Sequence, residues 1–269
     1  MKTTLLLFVL LISVCRASSD FHEVTSEQLI DQLRDIDAPT VGIHPTAWTD
    51  RFLALDDDPK FQGGVLGSVK PVVFPAMREL VRRGVAALPA LLAHLDDARP
   101  TKLTIKEEGV ISWARICNGY NNRPLRGTQS TPYVERSFDL PYQVRVGDVC
   151  LVILGQITNR PQVGVRYRPS GGVAISSPIV FPDIAKEARE DWQNTTASDL
   201  CALLLSDISE SKFDSEEEGA MERIRFYFPE RLAEATELMK KRANQALQHN
   251  DHGCHGLCGC TLRASHGRG

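Results

Sequence analysis

Residues 74–97 constrain the fold most: Phe-Pro-Ala-Met-Arg-Glu-Leu-Val-Arg-Arg-Gly-Val-Ala-Ala-Leu-Pro-Ala-Leu-Leu-Ala-His-Leu-Asp-Asp. This stretch predicts two short helices joined at a glycine. Pro75 suits a first helical turn, where its missing N–H costs nothing. Met77, Leu80 and Val81 recur at helical spacing and define one apolar face. Gly84 is free to take the left-handed backbone that ends a helix. Leu88, Leu91, Leu92 and Leu95 then line a second helix, in which Pro89 is acceptable only near the first turn. Neither helix can bury its apolar stripe alone, so the chain has to supply further helices to cover both.

The N-terminus places the protein in the cell. Lys2 supplies a positive start, Leu5–Val14 is an apolar run, and Cys15-Arg16-Ala17 offers small residues at the positions preceding a cleavage site. This is the pattern of a secretory signal peptide, and the run is too short to span a bilayer. Ile12-Ser13-Val14-Cys15 also resembles a bacterial lipobox, which makes a lipid anchor on Cys15 the alternative form of processing. The expected location is outside the cytoplasm: periplasm, cell envelope or extracellular space. No later segment is apolar for long enough to be a membrane span.

The formal net charge is −3, and loss of Lys2 and Arg16 with the signal lowers it to −5. A nucleic-acid partner is not expected from such a balance, because phosphate-backbone binding needs clustered Lys and Arg. Six of the seven cysteines lie beyond the signal. Export permits disulfides, yet Cys150 and Cys201 sit in apolar runs and read as small buried hydrophobes.

In chain order, Thr25 and Gln28 form a capping box for a helix with Leu29, Ile30, Leu33 and Ile36 on its inner face. Residues 40–73 are irregular, with turn punctuation at His44-Pro45, Asp56–Pro59 and Gly63-Gly64. Residues 101–117 fit short strands or a strand followed by a helix. Residues 118–142 are a long polar connection, a length usually associated with function. Val149–Arg160, with Asp148 as N-cap, is expected as a buried helix. Val163–Tyr167 and Val173–Ile175 flank Pro169–Gly172 and predict a small hairpin. The last third is helical: residues 183–193, 198–205, a helix capped at Ser215-Glu216-Glu217-Glu218, and a last helix from Pro229. The last is striped by Leu232, Ala235, Leu238, Met239, Ala243 and Ala246, with a supporting Glu237–Lys241 pair.

Leu80-Val81-x-x-Gly84-x-x-Ala87-Leu88-Pro89-x-Leu91-Leu92-x-x-Leu95-Asp96-Asp97 resembles a HEAT-type helical repeat unit. Gly147-Asp148-x-Cys150, Gly155-Gln156-Ile157-x-Asn159-Arg160 and Arg225-Phe226-Tyr227-x-Pro229-Glu230 resemble segments of an exported bacterial protein group that carries a HEAT-like helix pair. The resemblance implies architecture and no chemistry. The fold class it implies is mainly α: a HEAT-like irregular helical array with a small β-hairpin insertion. The expected organisation is a signal peptide over 1–17, one mainly helical domain over 18–249 and a disordered Gly/His/Cys tail over 250–269. Asp148 reads as a cap, and Arg160 and Arg225 as partners for buried carboxylates.

The tail is the only constellation with ligand character. Cys254, His255, Cys258 and Cys260, preceded by His249 and His252, are soft ligands of the kind that hold zinc or copper. Paired thiols are the alternative, and the spacing is not that of two C-x2-C knuckles. Gly-x-Ser-x-Gly, His-Glu-x-x-His, phosphate-loop and dinucleotide motifs are absent. The leading expectation is a non-enzymatic exported protein that binds a protein or an envelope polymer. A carboxylate-dependent hydrolase of an extracellular polymer, drawing on the 118–142 region, is the alternative, and metal binding through the tail is a second. No catalytic or cofactor-binding residues are assigned.

Export predicts removal of the first 17 residues. N-terminal sequencing of the exported protein should begin at Ser18; an intact Met1 in that fraction would refute it, and a lipid-modified Cys15 would select the anchored form.

Overall fold

The computed structural model describes residues 23–43, 52–55, 72–106, 111–114, 135–138, 141–160, 165–167, 173–210 and 214–253. Helices dominate: α1 (Ser26–Gln32), α2 (Pro75–Arg83), α3 (Leu88–Ala93), α4 (Val146–Thr158), α5 (Pro182–Trp192), α6 (Ala197–Glu210), α7 (Asp214–Tyr227) and α8 (Leu232–Gly253). Short 3-10 turns extend α1 at Leu33–Asp35, join α2 to α3 at Gly84–Ala87 and precede α8 at Pro229–Arg231. The strands are β1 (Pro100–Ile105), β2 (Ile111–Ala114), β3 (Glu135–Phe138), β4 (Tyr142–Arg145), β5 (Val165–Tyr167) and β6 (Val173–Ile175). The protein is mainly α with small β elements.

α4 is the centre. All thirteen of its residues are buried, which suits a helix that is apolar on every side. It starts at Val146 rather than after Asp148, so Asp148 lies in its first turn. α2 and α3 pack on it from one side, and α1 packs on both of these. Leu29, Ile30 and Leu33 meet Met77, Leu80, Val81, Leu88, Leu91 and Leu95 in one core. α5 covers α3, while α6, α7 and α8 pack on one another.

The capping box at Thr25 is formed, with the Gln28 amide reaching Thr25 Oγ1 at 3.2 Å and the Thr25 amide reaching Gln28 Oε1 at 2.7 Å. Pro75 and Pro89 both fall in first turns. Gly84 ends α2 at φ +55°, ψ −130°, positive in φ as expected though outside the left-handed helical region. A Cβ there would also stand 2.9 Å from the Tyr227 ring, so backbone angle and space both require glycine.

β1 and β4 pair antiparallel, with Thr104 opposite Gln143 and Ile105 opposite Tyr142. Thr101, Leu103 and Ile105 alternate inward, with Tyr142 and Val144 beside them. The remaining strands form a sheet in the order β3-β2-β6-β5. Its β5–β6 pair is the antiparallel hairpin expected from the turn sequence. β6 also runs parallel to β2, and β3 places a strand within the long polar connection of residues 118–142.

Four details differ from expectation. Glu237 pairs with Lys240 at 2.7 Å, not Lys241. Ala243 is exposed. α7 begins at Asp214, one residue before Ser215. The helix of α8 continues to Gly253, past the boundary drawn at residue 249.

α4 enters the core by a close approach: a Cβ on Gly147 would stand 2.4 Å from the Leu95 carbonyl oxygen. Gly→Ala within a helix normally stabilises by ~0.5–1 kcal/mol. Here the sign should reverse, since two backbone segments have to part. Gly147→Ala should destabilise by about 1–3 kcal/mol, the usual range for overpacking, read as a lower denaturant midpoint at unchanged slope.

Candidate functional site

Burying α4 completely also buries its polar ends, and the chemistry-bearing side chains gather there. At the N-terminal end, Asp148 accepts from Ser177 Oγ at 2.5 Å, Tyr142 OH at 2.5 Å and the Arg145 amide at 2.9 Å. The carboxylate therefore caps the helix from inside its first turn, where the positive end of the helix dipole favours it. Burial nevertheless pushes the Asp148 carboxyl above its ordinary range, against the opposing pull of Ser177, Tyr142 and the Arg145 amide. Burial and the neighbouring carboxylate also raise the Tyr142 hydroxyl. Ser177 closes a turn by accepting from the Ile179 and Val180 amides at 3.3 and 3.4 Å.

At the C-terminal end, Asn159 takes the left-handed conformation (φ 55°, ψ 34°), which asparagine tolerates. The Arg160 amide turns back to the Gly155 carbonyl at 3.0 Å. Arg160 then forks onto Asp207 of α6 through two bonds of 2.7 and 3.0 Å. The Asn159 side chain donates to both Asp207 and the Glu216 carbonyl at 3.0 Å, tying α6 and α7 to the end of α4. Arg223 of α7 donates to the Gln156 and Gly219 carbonyls, each at 2.7 Å, and lies 4.6 Å from the centre of the Phe52 ring. Burial lowers its guanidinium to about 10. Gln156 accepts from the Leu53 amide at 3.0 Å, and Arg78 and Arg82 of α2 hold the Leu53 and Ala54 carbonyls. Tyr227 OH donates to the Val81 carbonyl, and its ring packs edge-on to Phe52.

A third cluster lies nearer the surface, at the end of α3. His94 Nδ1 meets Asp97 Oδ2 at 2.9 Å, and Nε2 meets Glu27 Oε2 of α1 at 2.7 Å. Arg99 forks onto Asp97 and reaches Asp31 of α1 at 2.6 Å.

Both ends of α4 hold groups that catalysis could use, but in arrangements that catalysis does not favour. Ser177 and Asp207 are 0 % exposed and Asp148 3 %. Among the described residues no imidazole is bonded to Ser177, and each carboxylate accepts from donors of its own chain. Acid–base work requires a group within reach of a substrate proton. Stapling helices requires the reverse, and that is what these groups do.

Of the residues singled out by sequence, Asp148 caps α4 from the third helical position while Arg145 is the N-cap, Arg160 pairs with a buried carboxylate as expected, and Cys150 and Cys201 are buried free thiols. Burial raises the Cys150 thiol, which keeps it protonated and inert. Arg225 is exposed; Arg223, two residues earlier, is the buried arginine. Cys254, His255, Cys258 and Cys260 lie outside the described residues, as does most of the 118–142 connection. Asp207 carries a sequence signal that is easy to miss: with Leu200, Leu204 and Ile208 it lies on the apolar face of α6, where an acid needs a buried donor. Tyr142, Ser177 and His94 carry no comparable signal. No protein family, curated protein or solved structure matches the chain.

Asp207→Ala leaves Arg160 buried without its carboxylate. It should destabilise by about 3–5 kcal/mol, the range for breaking one side of a buried pair. Thermal melting checks this; a surface-like loss of a few tenths would show that α6 is not fastened there.

Proposed function

We propose that the protein is an exported, non-enzymatic helical protein, HEAT-like in its α2–α3 pair, that binds a protein or an envelope polymer. The observation that carries this reading is the use made of its polar interior. Asp148, Asp207, Arg160 and Arg223 are all buried and all bonded within the chain, joining β4, α4, α6 and α7. A scaffold whose internal charges fasten helices to one another leaves its outer faces to do the binding, as stacked helical units do. Among the described residues no helix is long and apolar enough to cross a membrane. The Lys2, Leu5–Val14 and Ala17 pattern supports export.

Metal binding by Cys254, His255, Cys258 and Cys260 remains a property of the tail in this reading, with zinc or copper as the fitting ions.

The mature chain, incubated with isolated envelope polymer, should sediment with it and release no soluble fragments. Release of fragments in amounts that grow with time would overturn the non-enzymatic reading and select the carboxylate hydrolase.

A further inference from the structure

The His94 cluster has a geometry that only one protonation state satisfies. Both ring nitrogens face carboxylate oxygens, at 2.9 and 2.7 Å. A neutral imidazole has one N–H and one lone pair, whereas an imidazolium has two N–H donors. Ionised carboxylates only accept. Both contacts are therefore attractive together only when His94 is charged; loss of the proton sets a nitrogen lone pair against Glu27 or Asp97.

We propose that His94 is a proton-operated clamp that fastens helix α1 to the end of α3 in mild acid and loosens it as the pH rises. α1 is the element with most to gain from such a clamp. It is seven residues long, too short to be stable by itself, and two of its outward acids, Glu27 and Asp31, are held by His94 and Arg99.

Apart from Glu27 and Asp97, the charges around the ring are committed elsewhere. From α1 come Glu27 and Asp31, and from the turn after α3 come Asp96, Asp97 and Arg99. Arg99 belongs to Asp97 and Asp31, and Arg189 of α5 belongs to Asp96 at 3.0 Å. Arg83 of α2 is bonded to Glu79 and to Ser26 and Val24 at the start of α1. Cys150 of α4 lies behind the cluster as a protonated thiol. Burial alone would depress the His94 ring, but the hydrogen bonds to Asp97 and Glu27 and their charges outweigh it and raise the ring above its ordinary 6.5. The folded state thus holds this proton more tightly than the unfolded chain. The clamp's contribution is complete below 6.5 and is lost as pH rises through the higher folded value. Burial raises the Asp97 carboxyl, but the bonds from Arg99 and His94 prevail and hold it down to about 2. That partner therefore stays ionised through mild acid.

Hydrogen exchange of the mature chain at pH 5.5 and pH 8, corrected for the chemical rate, tests the clamp. Protection of the Leu29 and Ile30 amides, relative to Val152 and Ile153 of α4, should fall about tenfold at the higher pH, as expected for loss of one charge-assisted bond. His94→Gln should abolish that pH response. Glu27→Gln changes a side chain that is 59 % exposed, and its amide can donate to the neutral ring; it should keep α1 protected at both pH values. A wild-type response that is absent, or one that survives both substitutions, would overturn the proposal. So would a His94 ring that titrates at its ordinary value by NMR.

Discussion

The structure depends on one constraint: α4 is surrounded on every side. A helix in that position gains apolar contact from all neighbours, but its unpaired terminal amides and carbonyls lose access to water. Each end must then be satisfied by the protein itself. Asp148, held by Tyr142 and Ser177, answers the first end. Asn159, Arg160 and Arg223 answer the second, the first two by turning the chain and reaching Asp207, the third by covering the Gln156 carbonyl. The second solution also ties α6 and α7 to the end of α4.

The apolar part of this arrangement is legible in the sequence. The stripes of α1, α2 and α3 repeat at helical spacing, and proline, glycine and the Thr25–Gln28 pair mark where helices start and stop. Those signals are local, so single-sequence reading recovers them. α4 is harder because its residues are apolar on every face; periodicity vanishes when no face meets water, and helix and buried strand then look alike. The polar part is barely legible. That Asp207 meets Arg160 depends on how α6 packs against the end of α4, a relation between residues 47 positions apart. Arg225, expected to partner a buried carboxylate, is exposed, while Arg223 is buried and bonds carbonyls; on a helix two residues separate the inner face from the outer one.

The same logic bears on what the buried charges mean. A buried ion pair gains little net stability over apolar residues of the same shape, because desolvation offsets the attraction. Its value lies in direction: a forked guanidinium accepts a carboxylate in one geometry only. Arg160 and Asp207 therefore fix which face of α6 meets α4, where leucines alone would allow several packings. Specificity of folding is thereby obtained at the centre of the molecule.

The turn after α3 shows how one segment can serve both purposes. Its backbone belongs to the core: the Asp97 and Arg99 carbonyls accept from the Gly147 and Val146 amides, each at 3.0 Å, beside the close approach of Gly147 to Leu95. Its side chains belong to the surface, where His94, Asp97 and Arg99 hold α1. Backbone bonds do not titrate near neutral pH, and the imidazole does. A change of protonation at His94 therefore acts on the attachment of α1 while the bonds that seat α4 persist. Movement at the edge of the fold is separated from the integrity of its centre by a single turn, because the two depend on different atoms of the same residues.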